Sequence, residues 1–211
     1  MKPSPLHFLM GIAWALCTTG VAWAGAPTDQ VKQTTGKILQ VVTDPELKEP
    51  GKAAERRQQI LAVADEQFDW AAMAQRSLGQ DWRKRTDAER QEFAALFRQL
   101  IGNAYLGRIE GYSGEGIRYG DEEIDEQYAT VAVVIITKKD VEIPIEYRLY
   151  RKRAEPEELW LVYDLKIEGV SLVNNYRTQF REELNRGSFE ELRDKLKEKV
   201  AEGPGSAEGA P

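Results

Sequence analysis

Apolar residues along this chain change their spacing once, sharply, between Leu159 and Phe180. From Leu159 to Ile167 they are nearly continuous and rich in strand-favouring types (Trp160, Val162, Tyr163, Ile167), whereas from Glu168 onward Val170, Val173, Tyr176 and Phe180 recur at helical intervals. The pattern predicts a strand feeding directly into a helix, with Glu168-Gly169 as the corner. Two further apolar runs precede it, Gln127 to Thr137 and Val141 to Arg151, joined by Lys138-Lys139-Asp140 and followed by the connection Arg153 to Glu158. Connections this short force antiparallel neighbours, so the three runs read as a meander. Ile143, Ile145, Tyr147 and Leu149 share one face of the second strand, and Leu161, Tyr163, Leu165 and Ile167 share one face of the third. Setting Arg148 opposite Asp164 and Glu146 opposite Lys166 pairs opposite charges, and it places Tyr147 against Leu165 and Leu149 against Tyr163. That register is the expected one.

The remaining pattern is helical. Val31, Thr35, Ile38 and Val42 form one stripe from Thr28 to Val42, ended by Pro45, Pro50 and Gly51; a second helix runs from Lys52 to Gln67 with Ile60, Val63 and Ala64 inward. Asp69 is placed to cap a short helix from Trp70 to Leu78, which Gly79 terminates. Thr86-Asp87-Ala88-Glu89 is a capping box ahead of the strongest amphipathic pattern in the chain, Phe93, Leu96, Phe97, Leu100, Ile101, Ala104 and Tyr105. Gly107 to Gly120 holds five glycines without the spacing of a phosphate-binding loop and reads as turns, and Glu122 to Glu126 reads as a solvated acidic loop. The junction helix is expected to reach Asn185 and stop at Gly187. Ser188 to Glu191 is a second capping box, opening a last helix with Leu192, Leu196 and Val200 inward.

Composition adds an address. Residues 1–24 carry a lone Lys2, an apolar run from Leu6 to Val21 and Ala22-Trp23-Ala24, the form of a secretory signal with its cleavage site. An uncleaved anchor or a lipid attached at Cys17 are the rivals, and Leu16 stands where lipid attachment wants a small residue. The expected organisation is a signal peptide over 1–24, one domain over 25–200 and a disordered Gly-, Pro-, Ala- and Glu-rich tail over 201–211. Without the leader the chain loses its only cysteine and its only histidine, His7. Zinc sites of the usual kind, cysteine nucleophiles and Ser-His-Asp triads all need those side chains. Removing Lys2 from 29 basic residues leaves 28 against 35 acidic ones, a net of −7. That balance lacks the basic footprint of a nucleic-acid binder and disfavours permanent residence on an anionic membrane.

The helices must cover the apolar sheet face, either filling it as an ordinary core or leaving a cavity. A histidine-free pocket enzyme and a ligand-free adaptor are the competing functional classes. Four stretches bear on the choice: Phe68 to Arg83, Glu89 to Ile101, Ile143 to Leu149, and the run containing VYDLKIEGVSLVNNYRTQF. In this order they resemble the MlaC family of periplasmic phospholipid-binding proteins, also called the toluene-tolerance family, up to about Val200. The resemblance implies an α+β fold, an antiparallel sheet cupping several helices around a deep apolar pocket for acyl chains, with no enzymatic activity, no metal and no cofactor. It also implies a periplasmic shuttle between an outer-membrane lipoprotein complex and an inner-membrane ABC transporter with an MCE-domain ring.

On that reading the lipid-binding residues are Val133, Ile135, Ile145, Tyr147, Leu149 and Tyr163 from the sheet, Val170, Val173 and Tyr176 from the junction helix, and Tyr105 from the long helix. Val134 and Ile136 replace Val133 and Ile135 if the first strand's parity is reversed. Lys138, Lys139, Arg151, Lys152 and Arg153 mark hairpin ends, read as solvated turns or as contacts for an acidic partner. A monomer is the expected state.

Overall fold

The computed structural model describes residues 26–154 and 157–203. The expected signal peptide, residues 1–24, and residues 204–211 of the expected tail lie outside them. Among the described residues, α1 (Pro27–Thr43) and α2 (Ala53–Gln67) form a helical pair, followed by α3 (Trp70–Leu78), a 3-10 turn (Gly79–Lys84) and the long α4 (Asp87–Glu110). Strands β1 (Gly116–Asp125), β2 (Tyr128–Ile136), β3 (Glu142–Ala154), β4 (Glu157–Ile167) and β5 (Val170–Ser171) lead into α5 (Leu172–Arg186) and α6 (Phe189–Glu202). The sheet is antiparallel in the order β1-β2-β3-β4-β5. This is the expected α+β arrangement, and the helix starts follow their caps. Asp69 accepts from the Ala72 N–H at 2.8 Å, and both capping boxes close, Thr86 with Glu89 and Ser188 with Glu191. Ala201 and Glu202, expected in the tail, complete the last turn of α6.

Three expectations need correction. First, α4 continues to Glu110 and β1 takes up Gly116–Asp125, where turns from Gly107 to Gly120 and an acidic loop from Glu122 to Glu126 were expected. Gly120 and Asp121 together oppose Ala132, a bulge that interrupts the alternation of Ile117 and Tyr119 and so hides the strand from a period-2 reading. Secondly, the β3–β4 register holds only in part. Glu146 faces Lys166, Tyr147 faces Leu165 and Arg148 faces Asp164 as expected, but Leu149 faces Val162. Tyr163 is the extra residue of a bulge, and beyond it the parity of β4 reverses. Val162 and Trp160 join the buried face in place of Tyr163 and Leu161.

Thirdly, the chain does not pass from β4 straight into a helix. Glu168 and Gly169 both have positive φ, 49° and 86°, and they join the paired residues Ile167 and Val170 as a two-residue hairpin. Val170 therefore lies on β5, and the helix begins at Leu172 after its cap Ser171. Glycine or asparagine suits the first position of such a turn better than glutamate does. Glu168→Asn is accordingly expected to stabilise the protein by about 0.5–1 kcal/mol, seen as a higher urea midpoint at unchanged slope. A fall in the midpoint would mean that the Glu168 side chain has a role outside the turn.

The core is divided. One apolar cluster joins α3, α4, α5 and α6 around Met73, Phe93, Phe97, Tyr176 and Phe180. A second lies on the sheet under Val31 of α1 and contains Val131, Val133, Leu149, Trp160 and Val162. A third, smaller one ties α1, α2 and α4 through Val42, Ile60 and Leu106. The long α4 packs on α3 and α6, whereas the helices that approach the strands closely are α1, α2, α3 and α5.

Candidate functional site

The pairing of β2 with β3 settles which side chains share the covered sheet face. Val133 lies beside Ile145 and Ile135 beside Ile143, so the set with Val133 and Ile135 accompanies Tyr147 and Leu149, and Val134 and Ile136 point to the other side. Tyr119 and Ile117 of β1 extend the same face, and Leu165 of β4 sits opposite Tyr147. Leu149 and Val133 are buried, whereas Ile135, Ile145 and Tyr147 retain partial exposure. Tyr147 is the most informative of them. The residue is half-buried, and desolvation of its phenol pushes the pKa up to about 12, against the lowering effect of a side-chain hydrogen bond with Thr35 of α1.

The helical candidates lie in the other cluster. Val173 and Tyr176 are 6% and 4% exposed in the helical cluster, with Tyr105 half-buried against them. The Tyr176 ring meets Phe97 edge-on at 5.5 Å, and burial lifts its hydroxyl to a pKa of about 12. Tyr105 is raised as well by desolvation. Phenols so shifted remain neutral at any physiological pH. Leu165 and Phe68 pack against both the sheet cluster and the helical cluster and so join them.

Two expected residues stand apart. Tyr163 is turned by the bulge to the far side of the sheet, where its ring lies 5.9 Å from Tyr128 and 6.4 Å from Tyr150 and under the Arg76 guanidinium at 4.4 Å. Val170 is 44% exposed on β5. Its helical spacing from Val173 is a coincidence of a hairpin that ends one residue before the helix cap. Neither belongs to the sheet cluster or to the helical cluster. Sequence reasoning also missed Ile117, Tyr119 and Thr35. The alternation of Ile117 and Tyr119 was a usable signal, masked by the surrounding glycines.

The Tyr105 hydroxyl is buried without a hydrogen-bond partner. An unpartnered buried hydroxyl costs stability, so Tyr105→Phe is expected to leave the protein as stable or up to about 1 kcal/mol more so in urea denaturation. A loss of stability on removing that oxygen would reveal a partner for it.

An open groove of about 650 Å³ occurs elsewhere, between α2, α3, α4 and the β3–β4 edge, with Phe68, Trp70, Trp82 and Leu159 on its walls. It includes none of the ten expected lipid-binding residues. On its polar side Asp65 accepts from the Trp70 indole at 2.8 Å and from Arg98 at 2.6 and 2.7 Å. No helix among the described residues is long and apolar enough to cross a membrane.

Comparison with solved structures finds a phospholipid-binding protein from Ralstonia solanacearum, determined in complex with a phospholipid, that superposes with a TM-score of 0.72. It is 22% identical, and the match covers 84% of this chain and 98% of that one, so the likeness is one of fold. No curated protein sequence matches. The family model described as MlaC protein matches residues 32–198, and the chain belongs to the MlaC family.

Proposed function

We propose that this protein is a periplasmic phospholipid carrier whose acyl-chain site lies between the covered sheet face and the wall made by α4 and α5. The observation that carries the reading is the division of the core. The sheet cluster and the helical cluster are distinct, bridged by Phe68 and Leu165, and at their margins Ile145 and Tyr147 on the first and Tyr105 on the second are only partly buried. Incompletely buried apolar groups at the margins of two clusters suit a chain that accommodates something apolar between them. The bound phospholipid of the Ralstonia solanacearum structure supports the choice of ligand.

The energetics demand such a site. Withdrawing one methylene from a bilayer into water costs about 0.8 kcal/mol, so two acyl chains of about 15 methylenes each cost on the order of 24 kcal/mol unless re-buried. A carrier must offer an environment close to hydrocarbon. The tyrosines fit its edges, since their rings pack on chains while their hydroxyls reach polar groups. Within this reading Val133, Ile135, Ile145, Tyr147 and Leu149 form one wall and Val173, Tyr176 and Tyr105 the other.

The domain spans residues 25–200, follows a cleaved signal peptide and shuttles lipid between an outer-membrane lipoprotein complex and an inner-membrane ABC transporter with an MCE-domain ring. The family and the lipid-bound neighbour favour binding and transport over enzymatic turnover. The test is transfer of a fluorescent phospholipid from donor to acceptor vesicles. Acceleration proportional to protein concentration is expected, and transfer at the protein-free rate would overturn the carrier reading.

A further inference from the structure

We infer that Asp164 is a positioning residue that fixes the angle between the sheet and α5, and with it the separation of the two walls of the proposed lipid site. The inference rests on the carrier reading for its functional consequence, while its geometry stands independently. Asp164 is only 4% exposed. Its carboxylate accepts from the Ser171 hydroxyl at 2.6 Å and from the Val173 N–H at 3.0 Å, and it lies 3.6 Å from the Arg148 guanidinium. One buried charge thus joins β3, β4, β5 and the first turn of α5.

Helix capping alone does not account for this. Ser171 already caps α5, its oxygen accepting from the Asn174 N–H at 3.1 Å. Asp164 supplies a second acceptor to the same helix start, and this one belongs to the sheet. It is therefore a tie between layers. A buried carboxylate is costly unless fully compensated, and a corner without a geometric demand could be closed by apolar packing at less expense.

The local chain path is arranged around the tie. The bulge at Tyr163 ends the regular register just before Asp164, the Glu168-Gly169 hairpin folds the chain back, and the Glu168 N–H donates to the Pro144 carbonyl at 2.9 Å, seating the turn on β3. The Val173 whose N–H is held belongs to the helical wall. Farther back along β4, the Asp69 N–H donates to the Val162 carbonyl and the Trp160 N–H donates to the Gln30 side chain of α1, both at 2.9 Å. Asp164 controls the end of β4 nearest α5.

The test compares lipid-loaded wild-type protein with Asp164→Asn, which keeps the shape and removes the charge, and with Ser171→Ala, which removes one hydrogen bond to the carboxylate together with the α5 cap. Thr86→Ala combined with Ser188→Ala, which deletes two helix caps far from the corner, is the stability-matched control. Two readouts are taken: dissociation of a fluorescent phospholipid into excess vesicles, and hydrogen exchange of the Val173 amide. Asp164→Asn is expected to release lipid about tenfold faster than wild type and Ser171→Ala about threefold faster, with the control within about twofold. The Val173 amide should lose protection while amides near Phe180 keep theirs. Release no faster than the control, or unchanged protection at Val173, would overturn the inference. If wild-type protein holds no phospholipid, the carrier reading falls, and exchange at Val173 still decides whether Asp164 ties the corner.

Discussion

Ile145→Trp is expected to strip the protein of bound phospholipid while leaving it folded. Ile145 pairs with Val133 on one side and Ile167 on the other, packs at the margin of the sheet cluster and keeps partial exposure. In a filled core, enlarging such a side chain forces off-rotamer packing and costs roughly 1–3 kcal/mol. On the wall of a space reserved for acyl chains the indole occupies volume the ligand would have used. The expected result is at least about a tenfold fall in lipid retained through purification, with a stability change below about 1 kcal/mol. Wild-type lipid content combined with marked destabilisation would place Ile145 in a solid core. Val173, at 6% exposure within the helical cluster, is a poorer position for the same experiment, because bulk added there overpacks the helices themselves.

Phe97→Ala is expected to have the largest effect on stability. Phe97 has no exposed surface, and its ring meets Tyr176 at 5.5 Å and Phe180 at 6.1 Å, both nearly edge-on. Truncation removes the apolar burial of the ring, opens a void and deprives two aromatic neighbours of their contacts, a combination that costs about 3–5 kcal/mol. That is a substantial part of the stability of a single domain. Urea denaturation checks it. A loss under about 1 kcal/mol would mean that the helical cluster collapses onto the void and is not the rigid wall described above. Lipid retention should fall as well, because Tyr176 leans directly on Phe97.

Much of the fold was legible because its elements are marked by local chemistry. Asp69, Thr86 and Ser188 cap their helices at the positions their sequence contexts require, and the opposite charges of Glu146, Arg148, Asp164 and Lys166 identify the β3–β4 register near the corner. What escaped depends on single-residue irregularities. A bulge adds one residue without changing composition, so nothing in LWLVYDL signals that Tyr163 leaves the buried face and Val162 takes its place. Val170 was misplaced because a hairpin of two residues and a helix can share the same apolar spacing over one turn. β1 was lost among glycines and acids because it is an edge strand with its bulge in the middle.

The candidate site was legible to a different degree. Periodicity identified the apolar sides of β3 and α5 and left β2 open between two parities, which the register decides by placing Val133, Ile135, Ile145, Tyr147 and Leu149 on one face. The separation between that face and α4 is set by how α1, α3 and α5 dock on the strands, and no local pattern encodes such a distance. The observations that bear on it, two apolar clusters bridged by Phe68 and Leu165 with half-buried side chains at their margins, exist only in three dimensions.

The central claim is that this chain carries phospholipid out of contact with water. Its most direct test is organic extraction of the protein purified from the periplasm without detergent, followed by mass spectrometry of the extract. Phospholipid in stoichiometric amount, lost from Ile145→Trp prepared in parallel, is the predicted result. An extract free of phospholipid from folded wild-type protein would contradict the account.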